Sequence, residues 1–293
     1  MFVGIENSND FYSQHYLAAI LGGDLKTHVY NGWANDIDHE DQPWTIVSRL
    51  APDFFKRRAA NEAQSDFVKR LQTHKEFTAT LLHGLGYEPG SRDLLCGEGA
   101  VPLYAGVNRP GTNEPVIVCI PVVSDAEPSD PLQCTFAPEQ FQRDTLDEIP
   151  PSFFDRTVED ILTKDLFGTD APPRFVLLLG ESQLVLIDRA KWAEKRLLRF
   201  DLTEILGRKD TDTLKAFVGL VHRASTAPDE GGSVLDALDE SSHKHAHGVS
   251  KDLKYALREA IELLGNEAVR ALKEKKQGVF DRDTADRLSL ECL

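Results

Sequence analysis

The sequence has few of the residues that mark secreted, membrane-spanning or zinc-binding proteins. Its four cysteines (Cys96, Cys119, Cys134 and Cys292) include no Cys-x-x-Cys pair, so they are interpreted as reduced thiols and not as a disulfide framework or a zinc site. No apolar run reaches the roughly 18 residues that predict a membrane span. Residues 1–10 lack the basic and apolar regions of a signal peptide. We therefore expect a cytoplasmic chain without a membrane partner.

The composition is otherwise that of a globular protein with an acidic balance. Hydrophobic residues make up 41% of the chain and charged residues 28%, which is enough for a sizeable core. The net charge of −15 is unevenly distributed. Residues 125–170 carry twelve acids against three bases, whereas residues 189–223 carry nine bases against five acids. Because cations drive binding to nucleic-acid phosphates, this balance argues against a stand-alone DNA-binding protein but not against a DNA-facing part of a larger enzyme.

Hydrophobic periodicity predicts a small sheet between helices. Helices are expected over residues 11–25, 54–85, 153–167, 191–206 and 211–222. Strand-like runs predict one hairpin from residues 101–107 and 115–123, a long loop over residues 124–151, and a second hairpin from residues 174–179 and 183–188. This order predicts an α/β fold, with α+β as the alternative, in which a small mixed β-sheet is wrapped by helices.

The last part of the chain is predicted to be a linker and a helical connector. Residues 225–233 are rich in Ser, Pro and Gly, so we place a boundary between a domain over residues 1–224 and a connector over residues 225–293. Ser250 is expected to cap a helix. The apolar stripe of that helix, which we expect to be its core face, comprises Leu253, Leu257, Ile261, Leu264, Ala268 and Leu272. The apolar residues of 287–293, at helical spacing and without a C-cap, predict a surface covered by further polypeptide, as in the front part of a longer protein.

A basic strip is the candidate nucleic-acid-binding site. It comprises Arg189, Lys191, Lys195, Arg196 and Arg199. With Trp192 among them, these cations suit contacts to phosphates. The alternative is the solvated face of a helix, which is a common place for such residues.

A histidine triplet and the acids near the first hairpin are further candidates for a metal or catalytic site. His243, His245 and His247 would point one way in an extended segment, as metal ligands do, but no nearby cysteine or carboxylate completes a site. The alternative is helix capping and surface polarity. A restriction-type nuclease needs an Asp on one strand and Glu-x-Lys on the next, but residues 119–123 (Cys-Ile-Pro-Val-Val) provide neither. Asp93, Glu98 and Asp125 flank the first hairpin and could only form a displaced site.

The segment from Ile149 to Phe154 is similar to a methylase motif but lacks its reactive residue. Its sequence, Ile-Pro-Pro-Ser-Phe-Phe, resembles the Asn/Asp-Pro-Pro-Tyr/Phe motif of adenine methylases without the Asn or Asp that accepts the hydrogen of the base. The chain also has no strand followed by Phe-x-Gly-x-Gly for S-adenosylmethionine. A Pro-Pro turn before a helix is sufficient to explain the segment.

Three long segments resemble a family of DNA-modifying enzymes. Residues 10–25, 184–202 and 238–269 resemble the N-terminal region of large bacterial DNA adenine methylases of the type IIG restriction–modification kind, including the class 1 DISARM methylase and its BREX relatives in phage defence. The resemblance implies a degenerate restriction-nuclease-like core and a helical connector. In the full-length family these are followed by an S-adenosylmethionine-dependent adenine-N6 methylase and a target-recognition region.

The resemblance assigns no catalytic residue, metal ligand or cofactor to this chain itself. It implies DNA as a partner, bound through the larger enzyme, and other defence-system subunits. The leading hypothesis is thus a non-catalytic N-terminal region of an adenine-N6 DNA methyltransferase that positions DNA or docks a partner. Two alternatives remain: an autonomous Mg²⁺-dependent endonuclease, and an acidic partner-binding or DNA-mimicking protein using residues 125–170.

Overall fold

A six-stranded mixed sheet is the core element of the first of two compact units. The computed structural model describes residues 2–36, 38, 40–62, 64–124 and 130–274. For residues 36, 249 and 272–274 it describes the backbone only. Contacts divide the chain into two units, Met1–Glu240 and Ser241–Leu293. The strands are β1 (Ile5–Ser8), β2 (Arg92–Cys96), β3 (Gly99–Leu103), β4 (Ala105–Asn108), β5 (Pro115–Pro121), β6 (Phe175–Leu179), β7 (Gln183–Asp188) and β8 (Leu197–Asp201).

The strand order of the large sheet is β1-β8-β7-β6-β5-β4, and β2 and β3 form a separate hairpin. Neighbouring strands are antiparallel except β5 and β6, which run parallel with Cys119 opposite Leu177. Parallel strands need a crossover connection, and here the chain between Pro121 and Phe175 provides it.

The α-helices of the described residues follow in chain order. They are α1 (Gln14–Ala19), α2 (Leu21–Leu25), a π-helical turn (Lys26–Tyr30), α3 (Asn31–Asp36), α4 (Pro43–Arg49), α5 (Ala51–Glu62), α6 (Phe67–Gly84), α7 (Arg143–Leu146), α8 (Val158–Ile161) with a π-helical turn (Leu162–Leu166), α9 (Leu202–Arg208), α10 (Thr211–Val221), α11 (Arg223–Thr226) and α12 (Val234–Glu274). Short 3₁₀ helices span Pro138–Gln140, Pro151–Asp155 and Arg189–Glu194.

The sheet is apolar on both faces because it separates two hydrophobic clusters. Alternate residues of a strand point to opposite faces. In β6, Leu177 belongs to the cluster that the N-terminal helices and α10 cover, whereas Val176 and Leu178 belong to the cluster that the crossover covers. The predicted mixed sheet wrapped by helices is thereby confirmed, as is its α/β class.

The strand predictions are confirmed for the second hairpin and corrected for the first. The strands β6 and β7 match the predicted ranges closely. The run 101–107 is not one strand, because the chain bends at Tyr104, and β3 pairs with β2 while β4 pairs with β5. The amide of Tyr104 donates to the carbonyl of Cys119 at 2.9 Å and fixes this bend.

Several helix predictions are wrong in their bounds. The helix predicted over residues 11–25 begins at Gln14 and is divided into α1 and α2, and helical structure continues beyond Leu25 through the π-helical turn into α3. The region 54–85 is two helices, and the carboxylate of Asp66 caps the second by accepting from the amide of Lys69 at 3.2 Å. The region 153–167 is divided in the same way, with Thr157 as the cap of α8.

The helix predicted over residues 191–206 is the largest error. A 3₁₀ helix ends at Lys195, which adopts the left-handed conformation with φ of 54°, and the strand β8 follows before α9 begins. Strand β8 pairs with both β1 and β7. This pairing satisfies its backbone and outweighs the local helix preference of Leu and Arg.

The first compact unit extends beyond the predicted boundary at residue 225. It reaches Glu240 because Leu235 and Leu238, in the first turns of α12, are buried in the core. The hydroxyl of Ser233 accepts from the amide of Leu235 at 3.2 Å, so the helix starts there and Ser250 lies within it instead of capping it. Leu288, Leu290 and Leu293 lie outside the described residues.

The helices of the described residues include no candidate membrane span. Among the residues that the structure describes, none of the helices has both the length and the apolar character that crossing a bilayer requires.

Candidate functional site

The structure spreads the predicted basic strip along a turn and a strand. Arg189 and Lys191 lie in the 3₁₀ helix Arg189–Glu194, Lys195 and Arg196 in the turn after it, and Arg199 in β8. These five residues therefore do not form one helix face. They lie along the connection from β7 to β8 and on β8 itself.

Four of these five cations are held by carboxylates of the same chain. Arg199 donates to both carboxylate oxygens of Asp130, at 2.7 and 3.1 Å. Lys195 pairs with Glu159 at 2.7 Å, and its ammonium lies 3.7 Å from the ring centroid of Trp192. Two of the acids that the sequence places in the acidic segment 125–170 thus neutralise cations of the basic strip.

The two remaining pairs involve nearby acids. Lys191 pairs with Asp239 and also donates to the carbonyl of Phe11 at 2.8 Å. Arg196 pairs with Glu194 at 2.5 Å. A phosphate would have to compete with these partners, whereas Arg189 is exposed.

Two of the three acids considered for a displaced nuclease site lie in the described part of the chain. Asp93 lies on β2, where its carboxylate accepts from the amide of Gln142 at 2.8 Å. Glu98 is exposed in the turn between β2 and β3, and Asp125 lies outside the described residues. Within the part of the chain that the structure describes, no three His, Cys, Asp or Glu side chains are grouped so that they could hold a metal ion.

The histidine triplet and the Pro-Pro segment have helical settings. His243, His245 and His247 lie on α12 and not on an extended segment, so neighbours two residues apart are turned about 200° from each other and do not converge. Pro151 begins a 3₁₀ helix in which Phe153 is buried. The structure thus confirms the interpretation of this segment as a turn before a helix.

A buried charged cluster under the turn between β6 and β7 was not predicted from the sequence. Glu181 accepts from Arg70 at 2.7 Å through its carboxylate and from Arg57 at 2.5 Å through its backbone carbonyl. Arg70 also donates to the carbonyl of Ser124 at 2.7 Å. These bonds attach α5 and α6 to the carboxyl ends of the two parallel strands, β5 and β6.

Burial changes the proton affinity of this cluster. Desolvation lowers the pKa of Arg57 to about 10, against the opposing effect of Glu181. His74 is fully buried, and desolvation, followed by the charge of Arg57, lowers its pKa to about 3. Among the described residues, the Nε and Nη1 atoms of Arg57 have no hydrogen-bond partner, but the guanidinium lies 4.7 Å from the ring centroid of Phe77. The aromatic face supplies the attraction that a hydrogen bond would otherwise provide.

This cluster has a structural and not a catalytic arrangement. Its carboxylate is already paired with Arg70, and its histidine is neutral at physiological pH and reaches the carbonyl of Gly180 at 3.3 Å. In the sequence these residues look like the polar face of a helix, because Arg57 and Arg70 alternate with other charged residues. Only the tertiary structure shows that Arg57 is buried and that Arg70 is partly buried.

The second unit exposes apolar residues along α12. We call Leu253, Leu257, Ile261, Leu264 and Ala268 the α12 apolar face. Leu253, Leu257 and Leu264 are 67%, 58% and 56% exposed. The spacing of the predicted stripe is therefore confirmed on one side of a continuous helix as far as Ala268, but its expected role as a core face is wrong for the three exposed leucines. The side chain of Leu272 lies outside the described residues. Exposed leucines in a row of this kind indicate a protein-binding surface.

Comparison with known proteins gives no match: no family model, no curated protein and no solved structure matches the chain.

Proposed function

We propose that this chain is the non-catalytic N-terminal region of a bacterial adenine-N6 DNA methyltransferase of a restriction–modification or phage-defence system. In this proposal it docks the methyltransferase polypeptide through the α12 apolar face. The observation that carries the docking role is the exposure of three leucines on one side of a 41-residue helix. The methyltransferase is proposed from the resemblance of residues 10–25, 184–202 and 238–269.

The size of the exposed face supports binding to another polypeptide. Burying a leucine side chain contributes about 1.5 to 3 kcal/mol, so three leucines supply a substantial driving force for association. Leu253 and Leu264, like Leu257 and Ala268, are separated by 11 residues, a spacing that keeps a stripe nearly parallel to the helix axis. From Leu253 to Ala268 the face is about 22 Å long, at about 1.5 Å per residue.

Docking is favoured over direct DNA positioning for this part of the protein. Four of the five cations of the basic strip are paired with acids of the chain, which reduces the local positive potential that phosphates require. DNA is then a partner through the larger enzyme. S-adenosylmethionine belongs to the methyltransferase part of the family, and no residue of this chain is proposed to bind it. The proposed location is the cytoplasm.

The proposal is tested by the methylation state of the host genome. We replace Leu257 and Leu264 by glutamate in the host gene, and in a second strain delete the gene segment for residues 1–274 in frame. N6-methyladenine is then mapped by sequencing. We expect the deletion to abolish methylation at one sequence motif. The double substitution should reduce it strongly, because it places two charges on the α12 apolar face.

A matched control places the same charges on the other side of the helix. Tyr255 and Asn266 are turned by more than 100° from the centre of the α12 apolar face, at about 100° per residue, so Tyr255→Glu with Asn266→Glu should preserve methylation. Circular dichroism of the purified variants checks that α12 still forms. Unchanged N6-methyladenine in the deletion strain would refute the methyltransferase assignment. Equal effects of the two double variants would refute docking through the α12 apolar face.

A further inference from the structure

A cleft beside Trp44 combines an aromatic ring with cations from two separate elements. Its volume is about 540 Å³, which lies within the range of roughly 300 to 1,000 Å³ typical of small-molecule sites. One wall is formed by α4 and the start of α5, and the other by the turn from α9 to α10 and the first residues of α10. We call this feature the Trp44 cleft.

The indole of Trp44 is held in place by its neighbours. The ring centroids of Tyr30 and Trp33 lie 5.6 and 5.8 Å from that of Trp44, and the ammonium of Lys215 lies 5.1 Å away. Trp44 is half-buried, so part of its ring remains available to the cleft. Pro52 and Leu214 complete an apolar surface beside it. A fixed, partly open indole is suited to stacking with a planar ring.

The two cationic residues that line the cleft, Arg49 and Lys209, make only weak ion pairs or none with the described residues. Arg49 approaches Glu40 at 4.0 Å, and both side chains are exposed, so this pair contributes little. Lys209 makes no ion pair or side-chain hydrogen bond in the part of the chain that the structure describes. No carboxylate is among the described residues that line the cleft, whereas the hydroxyls of Ser48 and Thr211 are.

The side-chain surroundings of Lys209 distinguish it from Lys195, which has the same backbone conformation. Lys195 and Lys209 both end helices in the left-handed conformation, with φ of 54° and 52°, where glycine is usually favoured. The side chain of Lys195 pairs with Glu159 and packs on Trp192, which accounts for a lysine there. Lys209 has no such partner among the described residues, and it is one of the residues that line the Trp44 cleft.

We infer that the Trp44 cleft binds a nucleoside phosphate, with the base against Trp44 and the phosphate between Arg49 and Lys209. Stacking on an aromatic side chain contributes about 1 to 3 kcal/mol per base, and guanidinium and ammonium groups form charge-assisted hydrogen bonds to phosphate. An acidic peptide would use the cations but not the indole. The nucleoside phosphate is either a free nucleotide or one unit of a single strand. This inference is independent of the proposed methyltransferase role.

Calorimetric titration of the full chain tests the inference. The probes are ATP, AMP, adenosine, inorganic phosphate, a single-stranded oligothymidylate, the corresponding duplex and an oligoglutamate peptide. We expect ATP or AMP to bind more tightly than adenosine or phosphate alone, because both parts of the ligand are recognised. Tighter binding of the single strand than of ATP and duplex would identify nucleic acid as the source, and the reverse order a free nucleotide.

Substitutions assign the binding to the cleft. Arg49→Gln and Lys209→Gly should each weaken nucleotide binding about three- to tenfold, the loss typical of one charge-assisted contact. Lys209→Gly also relieves the left-handed strain, so its thermal midpoint should stay equal or rise, which separates binding from folding. Lys164→Gln, an exposed charge on the opposite side of the sheet, is the matched control and should leave binding unchanged.

Three results would overturn the inference. The first is the absence of binding by any nucleotide or single strand at millimolar concentration. The second is equal affinity of Arg49→Gln, Lys209→Gly and the unsubstituted chain. The third is binding of oligoglutamate as tight as that of ATP, which would indicate a site for acidic peptides.

Discussion

His74 makes the stability of this fold sensitive to acid. Its side chain is fully buried, and burial followed by the charge of Arg57 lowers its pKa to about 3. In the unfolded chain the pKa of histidine is about 6.5. Below pH 6.5 the unfolded chain therefore takes up a proton that the folded chain does not bind. The free energy of unfolding then falls as the pH falls from about 6.5 towards 3.

The size of this effect follows from the two pKa values. Each pH unit between them corresponds to about 1.4 kcal/mol, so His74 alone should lower the free energy of unfolding by about 2 kcal/mol between pH 7 and pH 5. His222 adds to the loss, because burial lowers its pKa to about 4. Its Nδ1 accepts from the amide of Ala224 at 3.0 Å, a bond that only the unprotonated nitrogen can accept.

The assay is urea unfolding of the unsubstituted chain and His74→Gln at several pH values from 8 to 4. Glutamine keeps an amide donor for the carbonyl of Gly180 but does not titrate. We expect His74→Gln to be less stable at pH 8, since the packing changes, yet to lose about 2 kcal/mol less between pH 7 and pH 5. Parallel pH profiles for the two proteins would refute the reasoning, because His74 would then not be neutral in the folded state.

Two further predictions concern stability. Gly97→Ala should lower the free energy of unfolding by more than about 2 kcal/mol, because φ is 52° and a β-carbon would overlap Asp165, which pairs with Arg156. Gly111→Ala, with φ of 75° and open space around it, is the control and should cost only the left-handed strain of about 1 to 2 kcal/mol; similar losses in thermal or urea melts would contradict the overlap. Arg199→Ala should cost about 1 to 3 kcal/mol by urea unfolding, since it leaves Asp130 without its bidentate partner. An Arg199→Ala chain as stable as the unsubstituted one would mean that this pair is merely a surface contact.

The parts of the fold with a clear apolar pattern were predictable from the sequence. The runs that became β6 and β7 are continuous and bounded by turn residues, which is typical of central strands. Strand β1 was missed, because Ile5–Ser8 has only four residues and one fully buried side chain, and its pairing with β8 involves a distant segment. Strand β8 was mistaken for helix because no glycine marks the end of the preceding turn at Lys195.

The candidate sites differ in the same way: one follows from a local sequence pattern, and the others depend on tertiary structure. The α12 apolar face could be found from helical spacing alone, since a stripe on one helix is a local pattern. The ion pairs that occupy the basic strip could not, because Lys195 and Arg199 meet acids 36 and 69 residues away along the chain. The Trp44 cleft also depends on tertiary structure, as Arg49 and Lys209 come from elements with the sheet strands between them in sequence.

The parallel pairing of β5 and β6 limits how this protein can be shortened or cut. The first part of the segment between these strands, residues 124–151, looks in the sequence like a long acidic loop, yet Phe136 within it is buried in the cluster on one side of the sheet, as are Phe153 and Ile161 after it. Deleting the segment would expose the strand residues beneath and also remove the long crossover on which the strand order depends. Affinity tags, protease sites and the new chain ends of circular permutants should therefore be placed at the exposed turn near Gly111. This turn joins the antiparallel strands β4 and β5, so the chain ends can separate there without uncovering either hydrophobic cluster.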